Sequence, residues 1–147
     1  MAIWFHEVTL DEVNRLGRGN MIEHLGMEFY EIGPDFLKAK MPVDHRTRQP
    51  EGLLHGGASV ALAETLGSYA ANLVVDPEKY YCVGQEINAN HVRGLRQGWV
   101  FGATRPLHLG RRSQIWEIQI EDEQERLVCV SRLTMAVVEL KSLRTGA

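Results

Sequence analysis

The sequence is poor in cysteine and contains none of the cysteine spacings that mark a redox or zinc site. Its 147 residues include only Cys82 and Cys129, with no C-x-x-C pair, which excludes a thioredoxin-like motif and a zinc ribbon. Each cysteine lies in a run that is typical of a strand. We therefore expect two buried, reduced thiols in a cytoplasmic protein.

Motifs that bind nucleotides or metals are also absent. The six histidines show no H-E-x-x-H or other paired metal spacing, and the chain has no Walker loop, no G-x-G-x-x-G and no G-x-S-x-G. These absences exclude the common zinc hydrolases, dinucleotide-binding enzymes and serine hydrolases. We expect no metal and no bound cofactor.

The chain lacks both an excess of basic residues and a long uncharged apolar run. Sixteen Lys and Arg against 19 Asp and Glu give a net charge of -3, which supplies no positive field for nucleic acid. The most apolar stretch, 52–75, contains a Glu, a His and several Gly, so we expect no membrane span. The N-terminus shows no secretion signal. A hydrophobic content of 44% fits one domain over residues 1–147.

The hydrophobic pattern predicts a short helix, two strands, one long helix and four further strands. Thr9-Leu-Asp-Glu12 is a capping-box pattern that starts the first helix, and the Ala- and Leu-rich run at 52–75 predicts the long one. The remaining elements are a second short helix at 20–25 and strands from 26 onward and at 37–43, 80–92, 98–107, 114–121 and 127–140. Hairpin-length connections in the second half predict an α+β fold, with an antiparallel sheet wrapped around the long helix.

One carboxylate is isolated within the long predicted helix. Glu64 is the only formal charge from Gly52 to Val75, and burial of an unpaired carboxylate is costly unless its pKa rises. His55-Gly56-Gly57 lies at the helix start, where free backbone N–H groups point outward. A carboxylate within such a helix outlines an acyl-transfer site. The competing interpretation is structural: Glu64 pairs with an Arg or caps a neighbouring helix.

Four segments carry a family resemblance. They are Gln49-Pro-x-Gly-Leu-Leu-His-Gly-Gly-Ala-Ser59, Leu62-Ala-Glu64, Glu86-Ile-Asn-Ala-Asn-His-Val-Arg93 and Pro106-Leu-His-Leu-Gly110. In this order and spacing the chain resembles the hotdog-fold acyl-CoA thioesterases. The similarity is greatest to the PaaI-like group of 1,4-dihydroxy-2-naphthoyl-CoA, enterobactin-proofreading and 4-hydroxybenzoyl-CoA thioesterases.

The resemblance implies a reaction and an assembly. The reaction is hydrolysis of an acyl-CoA to free acid and CoA, with an aryl group such as benzoyl, hydroxybenzoyl or 1,4-dihydroxy-2-naphthoyl, or a medium-length chain. The assembly is a homodimer with a continuous sheet and shared active sites, and a homotetramer of two dimers. Two alternatives stay open: a proofreading thioesterase acting on an acyl or aryl carrier protein, and an acyl-CoA-binding module without hydrolysis.

The resemblance also assigns roles to individual residues. It implies Glu64 as nucleophile or general base and the Gly56 N–H as oxyanion donor, while Gln49, His55 and Ser68 orient the reacting groups. Arginines bind phosphate in two-point fashion, and five of them fall between positions 93 and 112. The residues implied in CoA binding are Gly84, His91, Val92, Arg93, Gly94, His108, Leu109, Gly110, Arg111, Arg112 and Ser113.

Overall fold

The computed structural model describes residues 1–141 and begins with two short helices. Helix α1 is Leu10–Leu16 and helix α2 is Met21–His24. The predicted capping box is present: the Thr9 hydroxyl accepts the Glu12 N–H, and the Glu12 carboxylate accepts the Thr9 N–H. The prediction of both short helices is confirmed.

Six antiparallel strands form one sheet. Their bounds are β1 Glu28–Ile32, β2 Leu37–Pro42, β3 Tyr80–His91, β4 Trp99–Leu109, β5 Ser113–Glu121 and β6 Leu127–Glu139. Their order in the sheet is β1-β2-β4-β5-β6-β3. The prediction of two strands before the long helix and four after it is confirmed.

The long helix α3, Gly56–Val74, packs on one face of this sheet. Trp116, Ile118 and Ile120 alternate along β5 and are fully buried, as are Leu62 and Leu66 of α3. Burying each such side chain contributes about 1.5–3 kcal/mol. The sheet therefore wraps around one helix, which confirms the expected α+β hotdog architecture.

The helix occupies most of the apolar run but starts four residues inside it. Gly52 has a φ of 83°, a left-handed conformation that a helix cannot contain. Leu54 then forms an isolated bridge with Arg48. Residues 52–55 therefore connect the turn closed by the Gly52 N–H and the Gln49 carbonyl to the helix start.

Strand β3 ends the sheet and leaves a long open edge. Among residues 1–141 only β6 pairs with it, and most of its twelve residues are exposed. Neither Pro nor Lys interrupts the strand, although these are common protections of edge strands.

Both cysteines are buried and unpaired, as predicted. Of the helices described, none is long and apolar enough to cross a membrane.

Candidate active site

The start of helix α3 presents one unused backbone donor. His55 is the N-cap: its Nδ1 accepts the Gly57 N–H at 2.8 Å, and its carbonyl oxygen accepts the N–H groups of Ala58 and Ser59. The Gly56 N–H has no acceptor within residues 1–141. Helix N-termini carry partial positive charge, so this amide can donate to a carbonyl oxygen that is becoming negative.

The capping bond also defines the tautomer of His55. A neutral imidazole whose Nδ1 accepts a hydrogen bond carries its proton on Nε2. His55 is exposed, so the Nε2–H is free to donate toward solvent or a ligand. The residue therefore shapes the helix start and adds a second donor beside Gly56.

Gly56 borders a cleft of about 420 Å³. A Cβ at Gly56 would lie 3.0 Å from His91 Nε2, so glycine permits the close approach of α3 to the end of β3. The structure thus brings Gln49 and Gly56 together with the predicted segment His91–Gly94. The other lining residues are Leu53, Leu54, Ser59 and Val128.

Gln49 is half-buried in the loop before α3, and its side-chain oxygen and NH₂ group differ in their hydrogen bonding. The side-chain oxygen accepts the N–H of Glu51 at 2.6 Å and that of Leu53 at 3.4 Å. No acceptor within the described chain takes up the side-chain NH₂ group. Gln49 can therefore act toward a ligand as a hydrogen-bond donor while its oxygen holds the loop.

Glu64 lies on α3, two turns after Gly56, with its carboxylate against β3. A Cβ added at Gly84 would lie 2.6 Å from Glu64 Oε1. Glu64 is half-buried rather than fully buried, and in the described part of the chain no hydrogen bond or ion pair engages its carboxylate. Glu64 follows Gly56 by eight helical positions, so their Cα atoms are about 12 Å apart along the axis.

Ser68 follows Glu64 by one helical turn on the same face and borders a second cleft of about 610 Å³. The walls of this cleft include Tyr69, Leu73 and Tyr81, and the N-terminal segment contributes His6 and Arg15. The Tyr69 ring stacks on Phe29 with ring centroids 4.9 Å apart. Burial raises the pKa of Tyr69, so its hydroxyl remains protonated near neutral pH.

The remaining predicted CoA residues lie at the other end of the sheet. Gly110, Arg111 and Arg112 line a third cleft of about 710 Å³ beside Tyr80, and Ser113 closes the turn by accepting the Gly110 N–H. His108 and Leu109 are exposed just before them. Tyr80 is the first residue of β3 and His91 is the last, so they are about 36 Å apart at the usual rise per strand residue. One protomer therefore does not bring Arg111 and Arg112 to Arg93.

The five arginines of the predicted cluster separate into two classes. Arg105 pairs with Asp35 at 2.7 Å, and Arg96 donates to the Glu51 carbonyl at 2.9 Å. Arg93, Arg111 and Arg112 form no ion pair with any residue of 1–141. These last three are the arginines that remain available to a phosphate.

The sequence reasoning missed several residues around these clefts. Tyr81 was assigned only to a strand, and neither His6 nor Arg15 belongs to a motif. The N-terminal segment reaches the second cleft because the Phe5 N–H donates to the Leu73 carbonyl at 2.8 Å. No signal in a single sequence marks such a contact.

The chain is similar to proteins of known family. Residues 51–129 match the profile of the Thioesterase superfamily. The 1,4-dihydroxy-2-naphthoyl-CoA hydrolase of Escherichia coli K12 is 55% identical over 92% of this chain and 99% of its own. The proofreading thioesterase EntH of Cronobacter turicensis is 54% identical over 92% and 98%. The crystal structure of a mutant thioesterase from Pseudomonas aeruginosa superposes with a TM-score of 0.93 at 47% identity, covering 95% of this chain and all of that one.

Proposed function

We propose that this chain, which belongs to the Thioesterase superfamily, hydrolyses aryl-CoA thioesters to the free acid and CoA. One observation carries the proposal: within residues 1–141, the Gly56 N–H at the start of α3 and the Glu64 carboxylate on the same helix both lack a hydrogen-bond partner. The first can stabilise an oxyanion. The second can act as nucleophile or general base, because no ion pair or hydrogen bond from the described part of the chain occupies it.

The proposed reaction begins with the thioester carbonyl oxygen accepting the Gly56 N–H. The Glu64 carboxylate then either attacks the carbonyl carbon or removes a proton from the attacking water. Collapse of the tetrahedral intermediate breaks the C–S bond, and the CoA sulfur leaves and takes up a proton. In the nucleophilic variant, water then hydrolyses the acyl-Glu64 anhydride. The Gln49 NH₂ group, the His55 Nε2–H and the Ser68 hydroxyl are the groups that orient the substrate or the water.

The separation between Gly56 and Glu64 supports a site shared by two protomers. A span of about 12 Å along α3 is too long for one thioester to contact both groups. Gly56 of α3 lies against His91 of β3, and Glu64 of α3 lies against Gly84 of β3. If two copies pair antiparallel along their open β3 edges, Gly84 of one copy lies near His91 of the other. Glu64 then approaches Gly56 of the partner subunit.

The same pairing supports a common CoA site. It would move the Tyr80 end of one β3, with Arg111 and Arg112, toward the His91 end of the other, with Arg93. These three arginines, which form no ion pair within residues 1–141, would then converge on one ligand, which fits the several phosphates of CoA. We propose a homodimer on this basis and, from the family resemblance, a homotetramer of two such dimers.

The second cleft supports an aromatic acyl group. It begins at Ser68, one turn from Glu64, and continues along Tyr69, Leu73 and Tyr81. Tyr69 lies in the wall of this cleft with its ring stacked on the buried Phe29, and it provides an aromatic surface against which an aryl ring packs well. The E. coli relative's name specifies 1,4-dihydroxy-2-naphthoyl-CoA, and we propose hydroxylated aryl-CoA as the substrate class. Two buried free thiols fit the reducing cytoplasm as the place of action.

A second candidate substrate is an aryl group on a carrier protein. The relative from Cronobacter turicensis is named a proofreading thioesterase, and the exposed Arg93, Arg111 and Arg112 could face an acidic carrier surface instead of CoA phosphates. This candidate predicts that replacing these arginines leaves hydrolysis of aryl-CoA unchanged. A loss of apparent affinity for aryl-CoA would favour CoA.

The test is thiol release from benzoyl-, 4-hydroxybenzoyl-, 1,4-dihydroxy-2-naphthoyl- and hexanoyl-CoA by the wild type and by Glu64→Gln. Positioned general bases contribute roughly 10²–10⁴-fold, so we expect turnover to fall at least about 100-fold. Glu78→Gln is the matched control, because Glu78 is an exposed carboxylate in the turn after α3. Near-wild-type turnover by Glu64→Gln would overturn the proposal.

A further inference from the structure

Asn72 joins the long helix to the open edge strand through both ends of its side-chain amide. The Cys82 N–H donates to Asn72 Oδ1 at 2.9 Å, and Asn72 Nδ2 donates to the Cys82 carbonyl at 3.1 Å. The same Nδ2 donates to the Ser68 carbonyl within the helix at 2.9 Å. One side chain therefore takes both backbone groups of a β3 residue, as a neighbouring antiparallel strand would.

Glu64, Ser68 and Asn72 follow one another at intervals of four on a single face of α3. The β3 residues that Asn72 and Glu64 contact are close together. Asn72 bonds Cys82, and the Glu64 carboxylate lies against Gly84, two residues further along the strand. The hydrogen-bonded contact at Cys82 thus determines how closely β3 approaches the helix where Glu64 passes it.

Cys82 is held on its side-chain face as well. Its Sγ donates to the Ala71 carbonyl at 3.5 Å, and Gln114 Nε2 donates to Sγ at 3.9 Å. The Gln114 side-chain oxygen in turn accepts the Trp116 Nε1–H at 2.9 Å. These contacts fix the side chain, but only Asn72 bonds the backbone of Cys82 from α3. A strand added to this edge must therefore begin beyond Cys82.

We propose that Asn72 is a positioning residue, which holds the backbone of β3 at Cys82 so that the Glu64 carboxylate lies in its working position against Gly84. The role of Glu64 in this statement rests on the function proposed above. A misplacement of about 1 Å can cost about 10²-fold in rate. Loss of the amide should therefore reduce kcat far more than it changes KM.

The experiment compares Asn72→Ala and Asn72→Asp with the control Thr65→Val. The Thr65 hydroxyl also donates to a backbone carbonyl, that of Ala61 at 2.7 Å, but it does not bond β3. The hydrogen-exchange rate of the Cys82 amide measures whether the contact with Asn72 is present. The values of kcat and KM on an aryl-CoA measure the effect of that contact on hydrolysis. Asp is nearly isosteric with Asn and keeps an acceptor for the Cys82 N–H, but it cannot donate to the Cys82 carbonyl.

We expect Asn72→Ala to speed exchange of the Cys82 amide at least about tenfold and to lower kcat about 10- to 100-fold. Because Asn72 also borders the second cleft, KM is compared in the nearly isosteric Asn72→Asp, where it should stay within about twofold. Asn72→Asp should keep more of the amide protection than Asn72→Ala yet still lose kcat. Thr65→Val should change neither readout. Unchanged exchange at Cys82 in Asn72→Ala, or an equal loss of kcat in Thr65→Val, would overturn the proposal. If the wild type hydrolysed no thioester, the proposed function would fail, while the exchange measurement would still test the contact.

Discussion

Replacing Gly84 by Ala should push the Glu64 carboxylate away from β3 by a distance that follows from their contact. In Gly84→Ala the new Cβ would lie 2.6 Å from Glu64 Oε1, and ordinary van der Waals contact begins at 3.4 Å. The carboxylate must therefore retreat by about 0.8 Å. Because a misplacement of about 1 Å in an active site can cost about 10²-fold, we expect kcat to fall about 10- to 100-fold.

The same substitution should barely change stability. The displaced atom is the end of a flexible, half-buried side chain, and Gly84 does not have a positive φ, so alanine fits its backbone. Replacing Gly by Ala at a compatible position also lowers the entropy of the unfolded chain, which contributes about 0.4–1 kcal/mol. The melting temperature should therefore stay within about 3 °C of the wild type.

Gly102→Ala is the matched control, because its Cβ would lie equally close, 2.6 Å, to a buried atom, Leu66 Cδ1. Overpacking in a core costs about 1–3 kcal/mol, so this variant should melt several degrees lower and keep its kcat per folded molecule. Calorimetry and steady-state thiol release on both variants separate the two effects. If Gly84→Ala kept wild-type kcat while losing stability as Gly102→Ala does, the position of Glu64 against β3 would be irrelevant to turnover.

Two further substitutions test the binding region and the loop that carries Gln49. Arg93→Ala should raise KM for an aryl-CoA about tenfold with little change in kcat, whereas Arg105→Ala, whose side chain pairs with Asp35, should change neither; equal effects would contradict a phosphate role for Arg93. Hydrogen bonds from Arg46 lower the pKa of Asp44 from 3.8 to about 2. Because this folded-state pKa is lower than the unfolded one, the stabilisation is complete above about pH 4 and is lost as the pH falls toward 2. Asp44→Asn should therefore differ from the wild type in unfolding free energy more at pH 6 than at pH 2.5, and an equal difference at both pH values would contradict the assignment.

Local sequence patterns predicted the elements because each pattern has a direct physical cause. The capping box at Thr9 satisfies helix donors, and the alternation of Trp116, Ile118 and Ile120 requires one buried face. The lone charge in an apolar helix likewise predicts that Glu64 is catalytic, which the Glu64→Gln measurement tests. These features depend on neighbours within a few positions, which a single sequence contains.

The parts that sequence reasoning missed depend on contacts between distant elements. Asn72 and Cys82 meet only because β3 returns along α3, and neither residue belongs to a recognisable motif. Arg93 and Arg111 are close in sequence yet lie near opposite ends of β3, because β4 runs the length of the sheet between them.

The most direct test of the central claim is subunit complementation between Glu64→Gln and Gln49→Ala. Each variant alone should be nearly inactive, since every site would lack one required group. If a site combines Glu64 of one protomer with Gln49 and Gly56 of its partner, random mixing gives half heterodimers, each with one intact site. The account therefore predicts recovery of about a quarter of wild-type turnover in a refolded equal mixture. A mixture no more active than the average of its parents would contradict a site shared between two protomers.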